Sequence, residues 1–230
     1  MDSKIERIIR LNEKIDDMAM QTTQAYMFGT KQELSVVDKK IVEYYNEMTD
    51  IIIEILKENK TKDINVVDKN TEYRIKPSEM LEDFVDLLQY YSDFNEEFVK
   101  EEIEILTKIY ENIEFDKELN IEIYTEIADC YFKIGNEEKA REMLFKFIKQ
   151  NPDEDEPYMC MQNWYMCYTK NYKKLAEVID IAEENNHILY TDFGYDELIK
   201  HYDETNEKDL KEKYENLYEK WKKNKNLIKI

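Results

Sequence analysis

The sequence predicts an all-α protein, and three observations carry this prediction. Gly and Pro occur only 3 times each in 230 residues, although sheets and turn-rich folds need them at their corners. Apolar residues recur every three or four positions along most of the chain, which is the helical period. The hydrophobic fraction is 42% and the charged fraction 37%, so a chain of this length can bury a core.

The N-terminal region predicts two helices. The first begins near Asp2 or Ser3, because either residue can cap a helix start. The second covers residues 31–58 and has a seam with three- and four-residue steps, made of Leu34, Val37, Ile41, Tyr44, Met48, Ile51 and Ile55. Such a seam is typical of a coiled coil. We expect a helical hairpin over residues 1–60, and a homodimer through residues 31–58 is the alternative.

Residues 60–76 interrupt the helical pattern. The apolar and β-branched residues of the segment 64–75 are compatible with a small β-hairpin, and an ordered loop is the alternative. This interruption is the predicted boundary between the N-terminal hairpin and a helical domain over residues 77–230. Helices restart at Pro77, a residue that is favourable in a first helical turn.

Residues 121–154 predict a helix pair with a defined turn. Gly135 allows a tight reversal after the first helix. Asn136 caps the second helix, whose first turn carries Glu137 and Glu138. Ala140 is small enough for the helix backbones to approach, and Pro152 stops the second helix.

A second copy of this unit follows from Asp155. Three of its apolar positions, Tyr158, Met161 and Tyr165, match Tyr124, Ile127 and Tyr131 with an offset of 34 residues. Three later positions, Leu175, Ile179 and Ala182, match Ala140, Leu144 and Phe147 with an offset of 35 residues. The difference predicts one extra residue in the turn around residues 170–172. Weaker copies lie upstream, behind residues 95–97, and downstream over residues 190–203 and 207–225.

The span 121–154 resembles the tetratricopeptide repeat, a helix-turn-helix unit of about 34 residues. Tyr124, Tyr131, Gly135, Ala140 and Pro152 match positions of that pattern, whereas Phe147 departs from its usual alanine. The resemblance implies antiparallel helix pairs stacked as a right-handed solenoid, with degenerate pairs at both ends. It also implies a protein that binds other proteins.

In that family the first helices of successive pairs line a concave groove that holds a peptide or a helix. Carried onto this chain, the partner-binding residues would be Glu122, Thr125, Asp129, Phe132, Glu156, Met159, Asn163 and Met166. Such a groove would suit a partner with a basic group and an apolar anchor. The members that bind chaperone tails clamp a carboxylate with Lys and Arg, and the corresponding sites here hold Thr125, Asp129, Met159 and Asn163. We therefore do not expect chaperone-tail binding.

The net charge of -20, from 53 acidic and 33 basic residues, makes direct nucleic-acid binding unfavourable because phosphate is repelled. It would steer the chain toward basic protein surfaces. An alternative function follows from the same charge: an acidic inhibitor or decoy that occupies the basic nucleic-acid channel of an enzyme.

The sequence predicts no catalysis, cofactor or metal. His187 and His201 have no triad or ligand partners at a recognisable spacing. Carboxylate clusters on acidic helices usually face solvent, and the three cysteines, Cys130, Cys160 and Cys167, are expected to be reduced core residues. Without an apolar N-terminal segment or a spanning helix, we expect a cytoplasmic protein that does not enter membranes.

Overall fold

The computed structural model describes residues 2–28, 31–72, 74–94 and 98–228. These residues confirm the all-α prediction, since they form helices and contain no β-strand. None of the described helices is both long and apolar enough to cross a membrane. The helices are α1 Asp2–Phe28, α2 Lys31–Glu58, α3 Asn65–Asn70, α4 Pro77–Phe94, α5 Val99–Asn112, α6 Lys117–Lys133, α7 Glu137–Gln150, α8 Glu156–Asn163, α9 Tyr172–Glu184, α10 Phe193–Glu204 and α11 Lys208–Ile228.

The chain forms two compact units, unit 1 (Met1–Cys130) and unit 2 (Tyr131–Ile230). The division falls near the end of α6, not in the interruption at residues 60–76. The reason lies in α2, which packs against α4 and α5 as well as against α1. The rings of Tyr45 and Phe84, for example, stack with their centroids 4.6 Å apart. The N-terminal hairpin therefore shares the core of unit 1 with α4 and α5.

Helices α1 and α2 form the predicted hairpin. The ammonium group of Lys4, near the start of α1, lies 2.9 Å from Glu54 and 2.8 Å from Glu58 at the end of α2, so the two helices run antiparallel. Of the predicted seam, Ile41, Met48, Ile51 and Ile55 are buried within this chain. The side chains of Leu34 and Val37 lie outside the described residues.

The segment expected to be a β-hairpin or a loop contains a short helix, α3. This corrects the prediction, and the packing of the segment explains it. Val67 is buried, and the carboxylate of Asp68 accepts hydrogen bonds from the Ser78 backbone N–H (3.1 Å) and hydroxyl (2.6 Å). Asp68 thereby satisfies free backbone and side-chain donors at the start of α4. A single helical turn allows Val67 to be buried and the adjacent Asp68 to bond to Ser78, whereas neighbouring residues of a β-strand point to opposite faces.

Unit 2 consists of helices in which each one from α7 to α11 packs on the next. Most of the apolar positions of unit 2 that defined the repeat are buried, namely Ala140, Leu144, Tyr158, Met161, Tyr165, Leu175, Ile179 and Ala182, whereas Tyr131 and Phe147 are half-buried. At the end of the unit, α10 and α11 pack through tyrosines, and the indole of Trp221 donates a hydrogen bond to the Leu189 carbonyl at 2.8 Å. The predicted Asn-Glu-Glu start at residues 95–97 lies outside the described residues.

Candidate functional site

The two predicted repeat turns lie in unit 2 and have the same cap. Gly135 has a φ of 77°, and the side chain of Asn136 accepts a hydrogen bond from the Lys139 backbone N–H at 3.3 Å. In the second turn, Lys170 has a φ of 50° and Asn171 accepts from the Lys174 N–H, also at 3.3 Å. Both turns therefore use a left-handed residue followed by an asparagine cap.

The extra residue of the second copy lies before the turn, not within it. Residues Trp164–Tyr168 form a π-helical segment, in which the Thr169 N–H bonds to the Trp164 carbonyl five residues back at 3.0 Å. A π turn holds one residue more than an α turn. The chain thus absorbs its insertion inside the helix. The prediction of an extra residue was right, but its predicted place at residues 170–172 was wrong.

The π-helical segment supports a stack of three aromatic rings, which we call the aromatic ladder (Phe132, Trp164 and Tyr168). The Phe132 and Trp164 rings lie 5.1 Å apart at 19°, and the Trp164 and Tyr168 rings 5.2 Å apart at 22°. Phe132 is 0% exposed, whereas Tyr168 is 70% exposed, the highest value for a large apolar side chain among the described residues. The ladder therefore runs from the core of unit 2 to its surface.

Trp164, the middle ring of the aromatic ladder, carries a polar group that forms no hydrogen bond within the described residues. The Nε1–H of Trp164 is buried and has no hydrogen-bond partner among the described residues. A buried donor that forms no hydrogen bond lowers the stability of a fold by about 1–3 kcal/mol. Within the described residues, the indole is held by stacking between Phe132 and Tyr168 and not by a hydrogen bond.

A polar network holds the base of the second turn. The Tyr165 hydroxyl donates to Glu137 Oε1 at 2.8 Å and accepts from Arg141 Nη1 at 2.9 Å, while Lys174 also bonds to Glu137. Arg141 in turn pairs with Glu177 at 2.9 Å. Burial raises the pKa of the Tyr165 phenol well above its ordinary value. Burial opposes ionisation of Glu137, but the hydrogen bonds from Lys174 and Tyr165 outweigh it and lower the pKa of this carboxyl.

The chain segment that carries Trp164 and Tyr168 lacks carboxylates. In a chain with 53 acidic residues among 230, the 20 residues from Pro157 to Ala176 contain none. Lys170 and Lys173 in this stretch are exposed and form no ion pair with any other described residue. The resemblance had pointed to Met159, Asn163 and Met166 near this segment, but sequence reasoning missed Tyr168 and the acid-free run, although that run is visible in an otherwise acidic chain.

The predicted groove residues divide between the two units. In unit 1, Glu122 is exposed, whereas Thr125 and Asp129 are half-buried. The Thr125 hydroxyl lies 3.0 Å from the Ile121 carbonyl and 2.9 Å from that of Glu122, within its own helix. It donates to this backbone, so its free hydrogen-bonding capacity toward a partner is reduced.

In unit 2, Glu156 and Asn163 are exposed and Met159 and Met166 are half-buried on α8 and its π-helical continuation. Phe132 is a correction, because its ring is fully buried against Trp164 and Tyr165 and cannot be a groove contact.

The cysteines also differ from their prediction in one place. Cys130 is buried and Cys160 half-buried, but Cys167 is exposed, and all three are free thiols. Cys167 immediately precedes Tyr168 in the π-helical segment, so the same local geometry brings both side chains to the surface.

One group of potential metal ligands lies in the core of unit 1. The ligand atoms of Glu102, Glu126 and Cys130 are all within 4.8 Å of one another, and the two carboxylates are 0% and 7% exposed. This corrects the expectation that carboxylate clusters face solvent. The Cys130 thiol donates to Glu102 Oε2 at 3.1 Å, and Gln89 donates to Glu126 Oε2 at 2.9 Å. These side chains therefore already hydrogen-bond to one another and to Gln89.

An acidic cleft lies on α2 of unit 1. Its carboxylates belong to Glu43, Glu47, Asp50 and Glu54. Three of the four form ion pairs: Glu47 with Arg7, Asp50 with Lys108 and Glu54 with Lys4. The cleft is therefore largely neutralised within the fold.

The two histidines take part in packing. The His187 ring is buried, stacks on Tyr158 with centroids 4.6 Å apart and lies 2.9 Å from Asp155 Oδ1. This contact joins the start of α8 to the chain just after α9. His201 stacks on Tyr172 at 4.1 Å. Sequence spacing missed both contacts because they join residues more than 25 positions apart.

Comparisons with protein-family models, with curated proteins and with solved structures found no match to this chain. The resemblance to the tetratricopeptide repeat therefore rests on the residues given above.

Proposed function

We propose that this chain is a non-enzymatic adaptor that binds a peptide or helix of another protein, with tetratricopeptide-like helix pairs stacked as a right-handed solenoid. The sequential packing of α7 to α11 and the repeated asparagine-capped turns support the stacking. In this proposal the contact surface of unit 2 is the α8 surface, made of Met159, Asn163, Met166 and Tyr168.

One observation carries the proposal. Tyr168 presents a 70% exposed ring that is held in place by stacking on Trp164, whose other neighbour is the buried Phe132. An exposed aromatic ring on a rigid support binds with little loss of side-chain entropy, and tyrosine is enriched among the residues that dominate binding energies. The half-buried methionines on the same surface are flexible and adapt to a partner.

The test is a comparison of partners captured from a lysate. Wild-type protein, Tyr168→Ser and Met166→Glu are immobilised, and retained proteins are quantified by mass spectrometry. Tyr190→Ser is the matched control, because Tyr190 is 64% exposed but lies elsewhere, under the Lys225 ammonium at 5.1 Å. We expect one set of proteins to be lost with both α8-surface variants and retained with the control.

Circular dichroism and thermal unfolding establish that all variants are folded. Phe132 is not a suitable test site, because a charge at this buried position would disrupt the core. Identical capture by wild type, Tyr168→Ser and Met166→Glu would reject the α8 surface as the binding site.

The acidic decoy is the second candidate, and the distribution of charge bears on it. Unit 1 holds 32 acidic and 16 basic residues, a net charge of -16, whereas unit 2 holds 21 and 17, a net charge of -4. A basic partner would therefore be attracted to unit 1. The ion pairs along the α2 cleft weaken this candidate, because they already satisfy most of its carboxylates.

A further inference from the structure

We propose that the α8 surface receives an acidic segment of its partner that carries an aromatic or aliphatic anchor. This inference rests on the proposed function and specifies the chemistry of the occupant. It differs from what the net charge of the whole chain suggests, since a charge of -20 by itself favours a basic partner.

The local charge supports an acidic occupant. No Asp or Glu occurs between Glu156 and Glu177, and Lys170 and Lys173 are exposed without ion-pair partners among the described residues. The two carboxylates of the polar network at the base of this turn, Glu137 and Glu177, are paired with Lys174 and Arg141, respectively. The acidic residues at the start of α8 are about 18 Å from Tyr168 along the helix axis, since each residue adds about 1.5 Å. A carboxylate beside Tyr168 would therefore meet attraction, despite the overall charge of the protein.

Comparison of the two repeat turns shows that this charge is not required by the fold. Helix α7 begins with Glu137 and Glu138, which suit the positive end of a helix dipole. At the equivalent positions, α9 has Tyr172 and Lys173 and no acidic residue in its first turn. A lysine there opposes the dipole, so it weakens the helix. A local rule broken without a structural gain is typical of a functional position.

The inserted residue contributes to the same surface. The π-helical segment brings Cys167 and Tyr168 to the surface directly before the turn that bears Lys170. The first repeat has no insertion, and its corresponding turn has Gly135 at the left-handed position. π-Helical segments are rare and are frequently found at functional sites. The second turn thus combines an aromatic anchor site with two lysines that pair with no carboxylate in the described part of the chain, a combination that the first turn does not have.

A random library of 12-residue peptides displayed on phage tests this chemistry without knowledge of the partner. The library is selected on the full chain and depleted on Tyr168→Ser, so that only peptides that need the tyrosine are recovered. We expect these peptides to be rich in Asp and Glu around a Phe, Trp, Tyr, Leu or Ile. The affinity of synthetic copies should fall at least about fivefold in Lys170→Glu/Lys173→Glu and should fall with added salt.

Three outcomes would overturn the inference. Tyr168-dependent peptides that are neutral or basic would contradict the acidic occupant and leave the proposed function intact. Peptide affinities that are unchanged in Lys170→Glu/Lys173→Glu would also contradict the acidic occupant and leave the proposed function intact. If no peptide depends on Tyr168, the proposed function fails at this surface as well.

A control addresses nucleic acid, the other polyanion that aromatic rings and lysines can bind. A fluorescent single-stranded oligonucleotide is titrated into the wild type and into Tyr168→Ser. We expect no Tyr168-dependent binding, because the chain carries a net charge of -20 and repels phosphate. Binding that needs Tyr168 and is tighter than that of the selected peptides would overturn the inference in favour of a nucleic-acid ligand.

Discussion

The Asn171 backbone N–H donates a hydrogen bond to the Tyr165 carbonyl, six residues back, at 2.8 Å. In the preceding repeat, Asn136 makes the same 2.8 Å bond to Tyr131, which is five residues back. The start of the turn and its asparagine cap are thus the same in the two copies of this chain. The π-helical segment accommodates the one additional residue between the tyrosine and the asparagine of the second copy. Both turns can therefore be probed by matched substitutions.

Substitutions at the left-handed residues of the two turns, Gly135 and Lys170, should change the free energy of unfolding in opposite directions. Gly135→Ala places a Cβ at a φ of 77°, with no atom within 4 Å to clash. The free energy of unfolding should therefore fall by about 1 kcal/mol from backbone strain alone. Lys170→Gly relieves the same strain at a φ of 50°. The entropy of glycine in the unfolded chain offsets part of this gain. The free energy of unfolding should therefore rise by a net amount of about 0.5 kcal/mol. Urea unfolding measures both, and equal signs would contradict the equivalence of the turns.

Charge reversal in the first turns of α7 and α9 should also give opposite effects. Lys173→Glu should raise the free energy of unfolding by about 0.3–1 kcal/mol, because an anion suits the positive end of the helix dipole. Glu138→Lys at the equivalent position of α7 should lower it by a similar amount. Both effects should shrink in 1 M NaCl. Increased stability of Lys173→Glu together with lost peptide binding would separate a binding role from a folding role.

The network around Tyr165 predicts a pH dependence of stability. The pKa of Glu137 is lowered below the 4.5 of an unperturbed glutamate, so its stabilising contribution is present above that value. This contribution is lost as the pH falls through the lowered pKa. At neutral pH, Glu137→Gln should cost about 1–3 kcal/mol of unfolding free energy, because Lys174 and Tyr165 lose a charged partner.

The comparison of unfolding at neutral and acidic pH checks this prediction. The difference between wild type and Glu137→Gln should narrow as the pH falls below the ordinary glutamate range. Glu138→Gln is the control, since Glu138 is the exposed neighbour on the same turn. A difference that stays constant down to the acid transition would show that ionisation of Glu137 is not involved.

The exposure of the cysteines predicts their order of reaction with a thiol reagent such as DTNB. Cys167 is exposed, Cys160 half-buried and Cys130 buried. Native protein should release about one equivalent rapidly from Cys167, a second more slowly, and the third only on unfolding. Single Cys→Ser variants assign each phase. Rapid reaction of Cys130 in the native protein would contradict its burial beside Glu102.

Much of the fold follows from local patterns in the sequence. Helix α2 was predicted with its bounds, because its three- and four-residue steps are long and regular. Gly135 and the Asn136 cap were predicted from turn chemistry that acts over four residues. The segment at residues 64–75 was not, since the partner that decides it, Ser78, contacts Asp68 across ten positions.

The candidate site was predicted only in part. The resemblance pointed to Met159, Asn163 and Met166 on α8 and its π-helical continuation, but it also placed the buried Phe132 of α6 in the groove and omitted Tyr168. Spacing could not assign Phe132, because a ring on the inner stripe and a ring facing a groove follow the same helical period. The decision depends on Trp164, which covers Phe132 from another helix.

The sequence by itself determined the helical class, the repeat with its 34- and 35-residue offsets, the Asn136 cap and the uneven distribution of charge. These depend on the identity of residues and on contacts within a few positions. Only the tertiary structure decided where the extra residue lies, that Glu102 and Glu126 are buried together and that Tyr168 is exposed on a stacked support. Those outcomes depend on which helices pack together, and that packing is set by the sum of many weak contacts between distant residues.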